Sequence, residues 1–379
     1  MAQIKSPKAQ EFDTLIVGGG LSGLLSAHVL EATGRNVLLI ESMETLGGSS
    51  RIGQTKAGPV DHGLKIFPAT PETHAALDWL ETVIDEKIER TEIDAAPVTY
   101  DDGKFKPYVG FGSATVETAS EVEAYAVEKR LLLSSTPKDW VQKLAQTYTG
   151  ALMTQSYATK FIVDDTFIIE TLLNGTKRIC AQEVVFAAPP QQLPELLGDG
   201  TLPARVRQKL NKGDFWTSVN LDIVHGHTVT DSQAVHVLKG ANEEPTIGVF
   251  HAPQADGLQV SQWLTLIPRD QVDEEELVAG ALKQIKRQVK RAYESAFDGL
   301  VQERILVVPG SHGSLVGQFD PAGRLPKIDN LWIVSALFSS HRNTVGAILE
   351  TQRILGELGP APIHEAERQL GPHTVTAEA

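Results

Sequence analysis

Asp13-Thr-Leu-Ile-Val-Gly18-Gly-Gly20-Leu21-Ser22-Gly23-Leu-Leu-Ser-Ala27, followed by Asn36-Val-Leu-Leu-Ile-Glu41, decides how this chain is read. The order is a hydrophobic strand, a glycine-rich turn, a helix and a second strand that ends in a carboxylate. A dinucleotide site needs each of these parts. Gly18 permits the tight turn, Gly20 lets the backbone approach a pyrophosphate, and Gly23 lets the helix pack close to the strand. Leu21 and Ser22 open the helix, where its amides and the positive end of its dipole face phosphate charge. Glu41, with Ser42 beside it, stands where a carboxylate would accept hydrogen bonds from a ribose diol.

The chain continues Ser42-Met-Glu-Thr-Leu46-Gly47-Gly48-Ser49-Ser-Arg51, then Gly58-Pro-Val-Asp61-His-Gly63-Leu-Lys65-Ile-Phe67. A glycine pair after the ribose acid, an Arg, then Asp-x-Gly before an apolar residue resembles the amine oxidase superfamily of FAD enzymes. That superfamily includes amine oxidases, protoporphyrinogen oxidases and phytoene desaturases. The resemblance implies that Gly47, Gly48, Ser49 and Arg51 lie along the FAD diphosphate and flavin. Two later segments carry it as well. Residues 151–190 read as a strand pair with Asn174-Gly175 at a hairpin turn, closing on Ile179-Cys-Ala-Gln-Glu-Val-Val-Phe-Ala-Ala-Pro-Pro190. By the same resemblance, Ala158 falls near the adenine. Asn330-Leu-Trp-Ile-Val-Ser335 reads as a buried strand that runs through a polar turn into a final helix. In the family that helix start points at the flavin pyrimidine ring. Asn343, Thr344 and Val345 would then offer amides to the negative charge that forms at N1 and O2 on reduction.

The expected architecture is α/β: a Rossmann-like FAD-binding domain built from three chain segments, with a mixed-sheet α+β substrate domain. The FAD-binding segments are 12–66, 147–202 and 305–358, the substrate domain takes 67–146 and 203–304, and 1–11 and 359–379 are tails. A chain of 379 residues can bury cores for both. Its 34 Lys and Arg against 48 Asp and Glu give a formal net charge of −14. That argues against nucleic acid and anionic membrane as partners and leaves a small-molecule substrate, or alternatively a protein substrate. No apolar run is long enough to cross a bilayer, and Met1 to Phe12 lacks the apolar core of a secretory signal, so the expected compartment is the cytoplasm. One cysteine, Cys180, excludes an internal disulfide and reads as a small buried residue. Some amine oxidases bond FAD through a late Cys; none stands there, so FAD is expected to be held non-covalently.

Lys65 follows the Asp61-x-Gly63 loop, which in relatives passes the flavin face. There a Lys would hold water, relay a proton or stabilise reduced flavin, unless it simply snorkels to solvent. His62 reads as structural. Relatives often carry a Lys on a substrate-domain strand that holds a water against flavin N5; the matching strand, 217–224, has Asn220 near that place and no Lys. Where relatives place Gly and an acid beside the ribityl chain, this chain has Ser335-Ala336. The missing Lys leans away from simple amine oxidation, and Ala336 implies that the flavin tail is held otherwise. In Ser339-Ser-His341-Arg342-Asn343-Thr344, Asn343 or Thr344 suits an N-cap, and His341 or Arg342 would meet the flavin edge or an anionic substrate. His225-Gly-His227 reads as a strand-end turn rather than a metal site, and Ser311-His-Gly-Ser314 lacks the context of a nucleophile elbow. Trp216 and Trp263 read as core residues. Asp273 to Glu276 opens a helix whose acids come first and bases last, complementing its dipole. The expected activity is oxidation of an organic substrate, an amine or a cyclic or polyene compound, by hydride transfer to FAD. The alternatives are a flavoprotein that modifies a partner protein and an NAD(P)H-dependent flavin reductase.

Overall fold

The computed structural model describes residues 10–112, 116–240, 243–271, 274–317, 319 and 324–358. It contains two seven-stranded sheets and two small two-stranded ones. The first sheet runs in the order Ala158–Asp164, Phe167–Leu173, Lys177–Phe186, Gln10–Val17, Val37–Ile40, Ala151–Met153. Gln10–Val17 is parallel to both Val37–Ile40 and Lys177–Phe186, and the C-terminal half of the latter pairs in parallel with Leu331–Ile333. Side chains alternate across this sheet with the period of two that strands impose. Ile16, Val37 and Leu39 enter the core on one face, and Leu15, Val17, Leu38 and Ile40 the core on the other. Burial on both faces is why these strands are nearly continuous apolar runs. At the hairpin, Asn174 and Gly175 both take positive φ, +49° and +74°, the backbone that a short twisted turn requires.

Two expectations about domain composition are corrected. The helices Pro71–Ile84 and Pro137–Thr147 fall inside the stretch assigned to the substrate domain. They instead bury Leu77, Leu80, Ile84, Trp140 and Leu144 against the first sheet, beside helices Leu21–Ala32 and Asn343–Glu357. Their apolar stripes at helical spacing need an apolar partner, and the near face of the first sheet supplies it. The third segment, expected from 305, also starts later. Leu300–Gly313 belongs to the second sheet, pairing antiparallel with Phe215–His225 as far as Gly313.

The second sheet runs Leu300–Gly313, Phe215–His225, Gln259–Pro268, Thr246–Phe250, His236–Leu238, Val98–Asp101, Lys104–Pro107. Helix Glu275–Ala292 covers it, seating Ile285 and Val289 against Leu221, Ile223, Phe250 and Trp263. Glu275 and Glu276 lie in its first turn and Lys290 and Arg291 in its last; Asp273 lies outside the described residues. Trp263 is fully buried, whereas Trp216 is half-buried at the edge of a neighbouring cluster. His225 is buried between the Ala296 carbonyl (2.7 Å) and Ser261 Oγ (2.8 Å). Cys180, expected to be buried, is half-exposed on its strand, where partial burial still pushes its thiol up. Among the described residues no helix is long and apolar enough to cross a membrane.

Candidate active site

A cleft of about 450 Å³ opens between the two sheets. Its first wall comes from the glycine-rich turn. Gly18 has φ +108°, and a Cβ there would lie 2.9 Å from the Ala187 carbonyl oxygen. A Cβ on Gly23 would sit 1.8 Å from the Gly18 carbonyl oxygen, so helix Leu21–Ala32 can approach the strand only over glycine. Gly20 differs from both. Its φ is −75°, and a Cβ on it would meet nothing nearer than Gly48 Cα at 3.9 Å. Its missing side chain leaves room inside the cleft, not within the protein's own packing. Glu41 is buried at the end of the next strand. Its Oε2 accepts from the Gly19 amide at 2.7 Å, and its Oε1 from the Met43 amide (2.8 Å) and Ser42 Oγ (3.0 Å). Those bonds fix the carboxylate beside the turn.

Gly18, Gly20, Leu21, Ser22, Glu41, Ser42, Gly48, Ser49, Ala158, Asn343 and Thr344 all line this one cleft, as does Lys65. Sequence positions more than 300 apart therefore converge. Five of the expected residues do not line it. Gly23 serves packing. Gly47 (φ +115°) shapes the loop, donating its amide to Gly19 O at 2.7 Å. Arg51 turns its Nε back to the Gly48 carbonyl at 3.1 Å, and Val345 is buried in the core with Ile348. His341 also lies outside the cleft. Its amide donates to Ser339 Oγ at 3.1 Å. Arg342 is likewise committed elsewhere, donating to the Gly313 carbonyl at 2.8 Å and lying 3.5 Å from the buried Glu121. Neither residue is placed to meet a cleft ligand. The N-cap expectation is also corrected. Arg342 is the N-cap of helix Asn343–Glu357 and makes no side-chain cap bond. Asn343 has φ +59°, and its Oδ1 accepts from Tyr125 Oη at 3.0 Å.

The opposite wall comes from the loop 61–65 and the second sheet. Arg304 holds the loop in place. It pairs with the buried Asp222, donates to the Asp61 carbonyl at 3.0 Å and lies 3.1 Å from His62 Nδ1. Gln262 donates to Asp222 Oδ1 at 3.0 Å and to the Asp61 carbonyl at 3.2 Å. The Asp61 carboxylate accepts from the Lys138 amide at 3.0 Å, at the start of helix Pro137–Thr147. Burial, then the Arg304 charge, pull the His62 pKa down to about 4, so it is neutral near pH 7. Lys65 is half-buried and donates from Nζ to the Ser49 carbonyl at 3.2 Å. Burial lowers its pKa, opposed by the charges of Asp61 and Asp222.

Asn220 does stand in the cleft, and its Nδ2 donates to Ser218 Oγ at 3.1 Å. It begins a polar chain that the sequence reading missed. Ser218 Oγ is 3.1 Å from Ser311 Oγ, Ser311 Oγ is 2.8 Å from His312 Nδ1, and His312 Nε2 is 2.7 Å from Tyr125 Oη. Every member lines the cleft. His312 is buried, and desolvation, with the nearby Lys65 and Arg342 charges, pulls its pKa down to about 3. Gly310 and Gly313, both at positive φ (+59° and +130°), were the available signal, since they bend the strand end that carries Ser311 and His312.

Three comparisons bear on this geometry. Residues 16–83 match a family model described as an NAD(P)-binding Rossmann-like domain. The FAD-binding monooxygenase acrE of Aspergillus aculeatus is 31% identical over 108 residues, covering 28% of this chain; the chain spans only 18% of that relative's length. Among solved structures, putrescine oxidase bound to putrescine superposes with a TM-score of 0.64 at 13% identity, over 93% of this chain and 99% of that one. Cyclohexylamine oxidase from Brevibacterium oxydans gives 0.63 at 12% identity, over 92% and 99%. The chain therefore has the fold of putrescine oxidase and cyclohexylamine oxidase.

Proposed function

We propose that this chain is an FAD-dependent oxidoreductase that takes a hydride from a small organic substrate, an amine or a cyclic or polyene compound. One observation carries the reading. The glycine turn, Glu41, Gly48-Ser49, Ala158 and the start of helix Asn343–Glu357 line a single cleft that continues to Lys65, Asn220 and His312. Open space over Gly20, at the start of helix Leu21–Ala32, is the cradle a pyrophosphate needs, because only a residue without Cβ lets phosphate oxygens reach the helix amides. Glu41 would receive the ribose diol, and Ala158 would lie along the adenine. The helix start at Asn343 and Thr344 would direct its positive end at the flavin pyrimidine ring. No cysteine lines the cleft among the described residues, so the group would be held by these contacts alone.

Bound FAD supplies the acceptor for a hydride. The chain's residues bind, orient and exclude water. Lys65 Nζ is the one cationic side chain in the cleft among the described residues, and it would hold a water or a proton beside the reacting atoms. Arg304, paired with Asp222, ties the loop that carries Lys65 to the second sheet through the Asp61 carbonyl. The neutral His312 and Tyr125 form a hydrogen-bonded surface near it.

Anaerobic mixing with candidate reductants tests the reading. Amines, cyclic alkenes and NAD(P)H are each added while the visible flavin band is followed. Bleaching by an organic substrate supports the proposal. Bleaching only by NAD(P)H replaces it with a reductase or monooxygenase, and a flavin that none of them bleaches points to a protein substrate.

A further inference from the structure

We infer that the substrate end of this cleft takes an organic anion whose charge lies on oxygen, such as a carboxylate or phenolate, rather than a protonated amine. The inference rests on the oxidoreductase reading and names the substrate class for the same site. Its basis is the distribution of charge along the cleft. Among the described lining residues Glu41 is the one carboxylate, and it belongs to the opposite, ribose end. Both of its oxygens already accept bonds from Gly19, Ser42 and Met43.

The acids nearest the substrate end are turned to other work. Asp61 caps the Lys138 amide, Asp222 is paired with Arg304 and bonded by Gln262, and Glu121 lies beneath Arg342. What faces the cleft is Lys65, which forms no ion pair among the described residues and donates to a single carbonyl. Around it stand neutral polar groups, Tyr125, Ser218, Asn220, Ser311 and His312, which bond to one another and bring no negative charge. A protonated amine would be brought next to an ammonium with no carboxylate to receive it. Of the described lining only Tyr125 and Tyr157 carry Phe, Tyr or Trp rings, and Tyr157 adjoins Ala158 at the other end, so no cage of such rings stands ready to hold a cation beside Lys65. An oxyanion finds the opposite situation, a half-buried cation without an ion-pair partner and with neutral polar groups beside it.

Calorimetric titration of the purified protein, with its FAD content recorded separately from the visible spectrum, tests the inference. The probes are matched in shape: benzoate against benzylamine, and cyclohexanecarboxylate against cyclohexylamine, near neutral pH where the amines are protonated. The carboxylates should bind at least about tenfold more tightly than their amine partners, and Lys65→Gln should weaken them by about tenfold or more. Lys65→Arg, which keeps the charge, should retain binding within a few-fold and guards against a Lys65→Gln protein that fails to fold. Equal or tighter binding of the amines, binding of neither class, or carboxylate binding that ignores Lys65→Gln overturns the inference. A missing flavin band would instead count against the oxidoreductase reading, while the calorimetry still reports on the charge of the cleft.

Discussion

Two glycines only three positions apart should fail in opposite ways when given a methyl group. At Gly23 the new Cβ would lie 1.8 Å from the Gly18 carbonyl oxygen and 3.0 Å from its carbon, both of them backbone atoms of the nucleotide turn. The helix would have to retreat by more than about 1 Å from the strand it packs on. Overpacking of this kind costs about 1–3 kcal/mol, and with no flexible side chain to yield, Gly23→Ala belongs at the upper end. For a chain this long that lowers the melting temperature by roughly 4 °C. At Gly20 the added Cβ has φ −75° and no neighbour within 3.9 Å, so the free protein should lose at most about 1 kcal/mol, from a poorer N-cap. The methyl would stand where phosphate oxygens approach. Losing two charge-assisted bonds to amides, at about 1.5–3 kcal/mol each, weakens FAD binding by 100-fold or more, on the order of 3–4 kcal/mol. Thermal melts of the apoprotein and FAD titration followed by flavin fluorescence separate the two effects. Wild-type FAD affinity in Gly20→Ala, or an unshifted melt in Gly23→Ala, would refute the assignment of packing to one glycine and ligand approach to the other.

Three further outcomes follow from the same geometry. Arg304→Met strands the Asp222 carboxylate in the interior and should cost about 3–5 kcal/mol in urea unfolding; a loss under about 1 kcal/mol would mean that the pair does not hold the loop. Gly53→Ala places a Cβ 2.2 Å from the Arg304 guanidinium carbon, so its cost should be largely absent in the Arg304→Met background; strict additivity would contradict the shared mechanism. His236 and His312 are buried with pKa values pulled down to about 4 and about 3, below the unfolded value. Their folded pKa values are depressed, so stability is fully present above pH 6.5 and is lost as pH falls toward those values, by roughly 3 kcal/mol for His236 alone. Urea midpoints that stay flat from pH 7 to pH 4.5 would contradict this.

The parts of the site that were legible in the sequence are those whose chemistry is local. Gly18, Gly20, Gly23 and Glu41 lie within one strand–helix–strand unit, so their spacing alone fixes their relation in space. Asn174-Gly175 likewise announces its own turn. Lys65 was found because it follows a glycine loop, but what clamps that loop is Arg304, more than 240 positions later. The chain from Asn220 to Tyr125 was illegible for the same reason. Tyr125 and His312 are 187 positions apart, and their bond depends on how helices and the second sheet pack. Strand Phe215–His225 hid its role differently, because Thr217, Ser218, Asn220 and Asp222 are all buried beside its apolar residues. Its alternation, Val219-Asn220-Leu221-Asp222-Ile223, reads as a half-exposed strand, whereas the structure buries the polar side chains as well. His341 misled because it sits just before the final helix, where the chain faces the cleft only from Asn343 onward.

The central claim, that this cleft holds FAD, is tested most directly by the visible spectrum of the purified protein before and after incubation with FAD and removal of the excess. The account predicts a structured flavin band in the blue, about one FAD per chain, released intact by denaturation because no covalent bond holds it. A protein that remains colourless and retains no FAD would contradict it, whatever its fold.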